Sequence, residues 1–248
     1  MRLLTLALLL LSLHMFGQKG FKDEQKNYIR VVIAYADKSD EINTHVAKLG
    51  IDISKLEIFI RIFKKERDIE LWGKNIDAEK YILIKKYRFC SFSGKLGPKR
   101  KQGDKQIPEG IYYIDRFNYV SNFFLSLGLN YPNKSDAILS DKNNPGGDIF
   151  IHGNCVTTGC IPITDDKIKE LYVYAVEAIN NGQVRIPVHI FPTKMHHHKF
   201  KELKKSYSDN TELIEYWENL KPIYDSFEEN KKLPIVLSDI NGKYFIEP

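Results

Sequence analysis

A histidine and a cysteine stand eight positions apart in the segment 151–161, IHGNCVTTGCI, and their types could support nucleophilic chemistry. A cysteine attacks as its thiolate, and a neighbouring imidazole can take the thiol proton and stabilise the charge that forms. Gly159, which precedes Cys160, permits a sharp turn and can leave backbone N–H groups free for an oxyanion. The spacing alone is weak evidence, because His152 as a core histidine and Cys160 as a buried small hydrophobe are the commoner explanation.

The chain contains three cysteines, Cys90, Cys155 and Cys160. An odd number leaves at least one thiol unpaired in an oxidising compartment. Cys155 could lie near Cys160 or pair with Cys90, and the sequence favours a structural or free buried thiol. A Cys90–Cys155 bridge would leave Cys160 as the single free thiol, but pairing cannot be deduced from sequence.

The first residues predict where the protein is sent. An apolar run at residues 3–13 follows Arg2 and leads to Gly17, the pattern of a secretory signal peptide over residues 1–17. The run is short for a bilayer-spanning helix, although an uncleaved membrane anchor is the alternative interpretation. No later segment is apolar enough to cross a membrane. We therefore expect an exported protein of the periplasm or cell envelope, without stable membrane insertion after cleavage.

Composition and charge narrow the class of protein further. The chain has 248 residues, of which 43% are hydrophobic and 28% charged, enough for one sizeable core and unlike a disordered protein. Its 37 basic and 32 acidic residues give a net charge of +5, which is spread along the chain without a dense Lys/Arg block. A nucleic-acid footprint normally needs a clustered patch, so we expect no nucleic-acid partner.

The elements that must position His152 and Cys160 can be outlined from hydrophobic spacing. Residues 18–50 predict two short helices, and the β-branched and aromatic segments that follow predict a strand-rich region. A helix is expected at about 165–181, and further helices and a last short strand after residue 194. The predicted strands are 56–63, 68–72, 81–87, 110–115, 123–127, 148–151, 184–191 and 244–246. The predicted divisions are a signal peptide (1–17), an N-terminal helical segment (18–50), a catalytic domain (51–193) and a C-terminal helical extension (194–248).

The motif residues resemble a known enzyme family. The segment 157–160, TTGC, resembles the Ser/Thr-x-Gly-Cys signature of YkuD-type L,D-transpeptidases, and 151–153, IHG, resembles their His-Gly element. The short interval between the two is similar to the YafK branch, which shares the pattern His-Gly-x-Cys-Val. Further matches lie at 61–66, 71–72, 93–99, 103–106, 108–112 and 129–132. The resemblance spans roughly residues 28–230 and implies an α+β, β-sheet-rich L,D-transpeptidase catalytic domain with N- and C-terminal helical segments.

This resemblance implies a site and a reaction. Cys160 would attack the carbonyl of the third residue of a peptidoglycan stem peptide, at the bond to the fourth, D-configured residue. His152 would act as general base, the Gly153 carbonyl would orient its other ring nitrogen, and the backbone N–H groups of Gly159 and Cys160 would hold the oxyanion. The residues expected to contact substrate are Thr157, Thr158 and Tyr112. The chemistry requires no metal and no cofactor.

The resemblance leaves the acceptor open. Transfer of the acyl group to an amine would make a transpeptidase that cross-links stems or attaches a wall-linked protein. Transfer to water would make a hydrolase or amidase that releases such a protein or trims stems. A non-catalytic wall-binding module is the third interpretation. Two departures from the family pattern bear on substrate contacts and on the base: Pro162 stands where many members have Arg or Asn, and Thr158 replaces a second histidine.

Three consecutive histidines, 196–198, look like a metal site. Consecutive side chains point in different directions, and no carboxylate or cysteine accompanies them at ligand spacing. We therefore interpret the run as a solvated turn.

Overall fold

The computed structural model describes residues 20–247, so the predicted signal peptide lies outside the described residues. These residues form one eight-stranded mixed sheet with helices on both faces and a separate two-stranded hairpin. The strands are β1 (Leu56–Phe63), β2 (Asp68–Asn75), β3 (Ile82–Arg88), β4 (Gly110–Asn118), β5 (Ser126–Leu129), β6 (Phe150–His152), β7 (Ile161–Pro162), β8 (Pro187–Phe191), β9 (Val236–Ser238) and β10 (Tyr244–Ile246). The helices are α1 (Phe21–Gln25), α2 (Ile29–Lys48), α3 (Lys134–Leu139), α4 (Asp165–Asn180), α5 (His197–Ser206) and α6 (Thr211–Asn230). None of these helices is long and apolar enough to span a bilayer.

The sheet has the strand order β3-β2-β1-β8-β4-β5-β6-β7. The pairs β1–β8 and β6–β7 are parallel, and the other neighbours are antiparallel. Strand β4 joins the two halves, because residues 110–113 pair with β8 and residues from 114 onward pair with β5. The register shifts between Ile114 and Arg116, and such an irregularity bends a strand and increases its twist.

The alternation of side chains along β1 explains why helices cover both faces of the sheet. Ile58, Ile60 and Ile62 point into the core formed with α2 and α4. Phe59 and Phe63, on the opposite face, pack against residues of α6. Successive residues of a strand face opposite sides of the sheet. A strand with apolar residues on both sides therefore needs other elements packed on both faces. The C-terminal helices supply the second cover.

Several helices and strands lie where the sequence predicts them. Strand β1 has the predicted bounds 56–63, and α4 ends one residue before the predicted limit. The prediction of two short N-terminal helices is wrong for the second, which runs for 20 residues because a buried stripe from Val31 to Val46 continues along it. The strand predicted at 123–127 begins only at Ser126, since the preceding residues form a loop. Helix α3 and strands β7 and β9 are short and were not predicted.

A buried ion pair ties the long loop before β4 to both the sheet and α6. The Lys64 Nζ lies 3.0 Å from Glu109 Oε1, and both side chains are fully buried. Lys64 also donates to the carbonyl oxygens of Gly97 and Ile107 at 2.7 and 2.8 Å. Glu109 accepts from the Trp217 indole at 2.7 Å. Burial lowers the pKa of Lys64, and the Glu109 carboxylate opposes that shift.

We expect Lys64→Ala to lower the free energy of unfolding by about 3–5 kcal/mol, because it leaves the Glu109 carboxylate buried without its cation. Urea denaturation followed by tryptophan fluorescence would measure the change. Lys65→Ala, one residue along on an exposed side chain, is the matched control and should change stability by less than about 0.5 kcal/mol. Equal stability of the two variants would contradict this assignment.

Candidate functional site

Strands β6 and β7 bring His152 and Cys160 to one face of the sheet. The two strands are parallel, with Ile151 opposite Ile161 and His152 opposite Pro162. Continuing this register by one residue sets Cys160 opposite Phe150, two positions from His152. Residues two apart in a strand point to the same side, so the histidine and the cysteine share a face. Both side chains line one cavity of about 180 Å³.

The imidazole of His152 is buried and held in one orientation. Its Nδ1 lies 2.5 Å from the carbonyl oxygen of Gly153, and His152 is only 1% exposed. A carbonyl oxygen can only accept, so Nδ1 carries the proton and the neutral ring has its lone pair on Nε2. Burial lowers the pKa of His152, and the hydrogen bond to Gly153 partly opposes the shift. The lowered pKa favours the neutral form of the ring near neutral pH.

Cys160 is the free cysteine, and it is half-buried at the cavity. Its Sγ lies 3.5 Å from the carbonyl oxygen of Asp148. Burial raises the pKa of the Cys160 thiol, and a hydrogen bond to the Phe150 backbone partly offsets this. A raised thiol pKa and a lowered imidazole pKa both favour a neutral thiol beside a neutral imidazole over an ion pair.

The loop between His152 and Cys160 is fastened at its start. Cys155 forms a disulfide with Cys90, with the two Cα atoms 5.3 Å apart, so the bridge left open by the sequence is present. The Asn154 N–H donates to Asp165 Oδ1 at 2.7 Å, which attaches the loop to the first turn of α4. Gly153 is required here because a Cβ would lie 2.6 Å from the Phe123 carbonyl oxygen.

The end of the loop is organised by Thr157. Its hydroxyl donates to the Cys160 carbonyl at 2.7 Å and accepts from the Gly159 N–H at 3.2 Å. Gly159 has a φ of 129°, a conformation that side chains other than hydrogen rarely allow. The predicted use of the Gly159 N–H for an oxyanion is therefore not available in this arrangement, since that N–H is already bonded. In the described part of the chain, the Cys160 N–H takes part in no side-chain or loop hydrogen bond.

The three residues predicted to contact substrate differ in exposure and in their distance from the cavity. Thr158 is exposed two positions before Cys160, and Thr157 is half-buried, with its hydroxyl engaged as described. Tyr112 is only 2% exposed, and its hydroxyl donates to Asp136 Oδ2 at 2.8 Å. Tyr112 does not line the cavity of His152 and Cys160. The expectation that it contacts substrate there is therefore wrong. Its position on β4 points its ring into the core.

Sequence reasoning missed the loop that forms one wall of the cavity. We name residues 119–125, between β4 and β5, the cavity loop. The Phe123 ring stacks on His152 with centroids 4.5 Å apart and an angle of 29° between the planes. The Asn, Tyr and Ser residues at 118–122 are a turn signal that could have identified it. The remaining lining residues are Asn118, Ser121, Asn122, Ser126 and Phe150.

The run of histidines lies away from the cavity lining. His196 caps the start of α5, and His197 and His198 are exposed in its first turn. The ring of His196 contacts the Tyr224 hydroxyl at 3.1 Å. Across residues 20–247, no three His, Cys, Asp or Glu side chains are grouped as a metal site would need.

Comparisons with known proteins give consistent matches. The YkuD family model, described as the L,D-transpeptidase catalytic domain, matches residues 59–190, which include His152 and Cys160. Two curated Escherichia coli proteins, from strains K12 and O157:H7, are both named YafK and assigned provisionally to the L,D-transpeptidases. Each is 36% identical over 191 residues, covering 76% of this chain and 73% of the relative.

Solved structures show more distant similarity. The helical cell shape determining protein Pgp2 from Campylobacter jejuni has a TM-score of 0.44 at 15% identity, covering 75% of this chain and 73% of that chain. Bd1075 from Bdellovibrio bacteriovorus has a TM-score of 0.40 at 19% identity, covering 73% and 76%.

We expect removal of the disulfide by Cys90→Ala with Cys155→Ala to lower the free energy of unfolding by about 2–4 kcal/mol, because the unfolded chain gains freedom. Cys160 should also react faster with iodoacetamide, since its loop loses one attachment. Cys160→Ala keeps the bridge and is the control, with a stability change within about 0.5 kcal/mol. Urea denaturation and alkylation rates measure both effects, and a double variant as stable as the parent protein would overturn the structural role.

The neutral resting pair predicts a particular pH dependence of alkylation. The rate for Cys160 should keep rising as pH increases past about 8.5, because the reactive thiolate forms only above the ordinary thiol pKa. His152→Gln, the matched control, should change the rate at pH 6 little. A rate that is already maximal at pH 6, and is lost in His152→Gln, would instead indicate a resting thiolate–imidazolium pair. Mass spectrometry of the peptide containing Cys160 measures the rate.

Proposed function

The chain belongs to the YkuD family of L,D-transpeptidase catalytic domains, and from this membership we propose that it is an exported cysteine acyltransferase acting on peptidoglycan stem peptides. The observation that carries the proposal is that the free thiol of Cys160 and the oriented imidazole of His152 line one cavity. Acyl transfer by a thiol needs a nucleophile and a base on the same side of the substrate carbonyl.

The first step is proton transfer coupled to attack. The lone pair on His152 Nε2 takes the Cys160 proton as Sγ bonds to the carbonyl carbon of the third stem residue. The resulting imidazolium retains its Nδ1–H bond to the Gly153 carbonyl, which stabilises the positive charge in place of a carboxylate. The same ring then protonates the leaving amine of the fourth residue, and a thioester remains on Cys160.

The negative charge that develops on the substrate oxygen needs donors. The Cys160 N–H is the proposed oxyanion donor, since the Gly159 N–H is bonded to Thr157. The exposed side chain of Thr158 is the proposed substrate contact at the cavity rim. Pro162 supplies no cation two positions after the cysteine, so recognition of a substrate carboxylate must come from elsewhere.

The thioester is resolved by an acceptor. An amine from a second stem, or from a wall-linked protein, gives the transpeptidase that we propose. Water gives a hydrolase or amidase with the same acyl-enzyme, which is the alternative product outcome. The Cys90–Cys155 disulfide supports export to the periplasm or cell envelope, because such bridges persist in oxidising compartments.

We expect incubation with a defined tetrapeptide muropeptide to add the acyl group to the peptide that contains Cys160, seen by mass spectrometry. Cys160→Ala should form no acyl-enzyme, and His152→Gln should acylate about 10²–10⁴-fold more slowly because it lacks the base. Both variants should keep the far-UV circular dichroism of the parent protein. Acylation of folded Cys160→Ala at the normal rate would refute the proposal.

The acceptor is identified in the same reaction. With an added acceptor amine, a transpeptidase gives a new peptide bond, and the yield of that product rises with amine concentration. A hydrolase gives the free tripeptide stem whether or not amine is present. Products from the two conditions therefore distinguish the proposed reaction from its alternative.

A further inference from the structure

The N-terminal helices contact the wall of the cavity directly. From the first turn of α2, the Arg30 guanidinium donates to the Ser121 carbonyl and, at 2.8 Å, to the Phe124 carbonyl. The same guanidinium lies 5.9 Å from the centre of the Phe124 ring. Tyr28, just before α2, stacks on Tyr119. Helix α2 therefore holds both the start and the later part of the cavity loop.

The backbone of the cavity loop needs such support. Phe124 has a φ of 69°, in the left-handed region that an aromatic residue rarely adopts. Strained residues persist only where the surroundings fix them, and Arg30 bonds to the carbonyl of this very residue.

Helix α2 is itself held in place by contacts with the rest of the fold. Its buried residues, which include Val31, Ala34 and Ile42, belong to the main core. Two ion pairs connect its middle to α4: Lys38 with Asp166 at 2.5 Å, and Asp37 with Lys169 at 2.6 Å. Displacement of the cavity loop would therefore require breaking the contacts of Arg30 and Tyr28, since the helix is anchored elsewhere.

The cavity loop in turn shapes the surroundings of the base. Phe123 stacks on the His152 ring, and the Leu125 carbonyl accepts from the Gly153 N–H at 3.2 Å. Gly153 is the residue whose own carbonyl orients His152. The loop thus contacts the imidazole on its face and at the residue that fixes its tautomer.

We propose that Arg30 is a positioning residue of the active site, which holds the cavity loop so that Phe123 covers His152. The N-terminal helical segment is then part of the catalytic apparatus. This inference rests on the proposed function for the role of His152 as base. Arg30 touches no reacting atom, and it acts through Ser121 and Phe124 on the ring beside them.

The titratable groups around His152 are few. Cys160 lines the same cavity, and Asp165, from the start of α4, lies against Gly153 and bonds to the Asn154 N–H. From α2, the charged group that reaches the cavity loop is Arg30, and from α4, Lys169 lies 5.4 Å from the Phe124 ring. Loss of the Phe123 cover would expose the imidazole to water and raise the pKa of His152 toward its ordinary value, because burial is the main cause of its lowering.

The test compares Arg30→Ala, Arg30→Lys and Lys38→Ala. Lys38→Ala is the matched control, because it removes an ion pair between α2 and α4 that lies away from the cavity loop. NMR titration of the His152 ring, assigned with His152→Gln, gives its pKa without substrate. Acylation rates measured with the muropeptide at several substrate concentrations give the maximal rate and KM. The same rates measured across pH give the acid limb, the fall in rate as His152 becomes protonated.

For Arg30→Ala we expect the His152 pKa to rise toward about 6.5, the acid limb to move with it, and the maximal acylation rate to fall between about 10- and 100-fold. Arg30→Lys should restore part of each, and Lys38→Ala should leave the His152 titration unchanged. A parent-like His152 titration in folded Arg30→Ala, or the same change in Lys38→Ala, overturns the positioning role. If the parent protein forms no acyl-enzyme while the Arg30→Ala titration still shifts, the proposed function fails and the positioning role stands.

Discussion

The hydrogen bond between His152 Nδ1 and the neighbouring Gly153 carbonyl is the interaction on which the rest of the site depends. A carbonyl cannot donate, so this contact selects one tautomer of a neutral ring and leaves the lone pair on Nε2. A carboxylate in that place would hold the ring by charge and raise its pKa. A backbone carbonyl gives orientation with a weaker charge effect, so it opposes only in part the lowering of the His152 pKa by burial.

The surrounding structure preserves that geometry from three directions. Strand β7 sets the cysteine beside the histidine, the Cys90–Cys155 bridge and Asp165 attach the intervening loop, and the cavity loop covers the ring. The pairing of β7 with β6 and the bond from Asn154 to Asp165 are close in sequence, whereas the disulfide joins residues 65 positions apart. Arg30 extends the same dependence to the N-terminal helices. The candidate site is therefore assembled from segments spread over most of the described chain.

The sequence predicted the parts of this arrangement that short-range patterns determine. Strand β1 could be identified from its apolar residues, and His152 and Cys160 from their motif. Long-range contacts could not be read in this way, because Arg30 and Phe124 are 94 positions apart and Cys90 and Cys155 are 65 apart. The sequence placed Tyr112 in the substrate site wrongly, because the alternation along β4 does not show which of two neighbouring side chains faces the core. Of the two N–H groups expected to hold the oxyanion, that of Gly159 is bonded to the Thr157 hydroxyl, a contact that the motif alone does not reveal.

The disulfide also makes one attachment of the loop before Cys160 dependent on the redox environment. A chain in a reducing cytosol would keep three thiols, and the segment leading to Cys160 would lack its attachment to Cys90, which follows β3. Oxidation closes that attachment only after the chain reaches an oxidising environment. The final geometry of the loop between His152 and Cys160 is therefore coupled to the redox state of its surroundings.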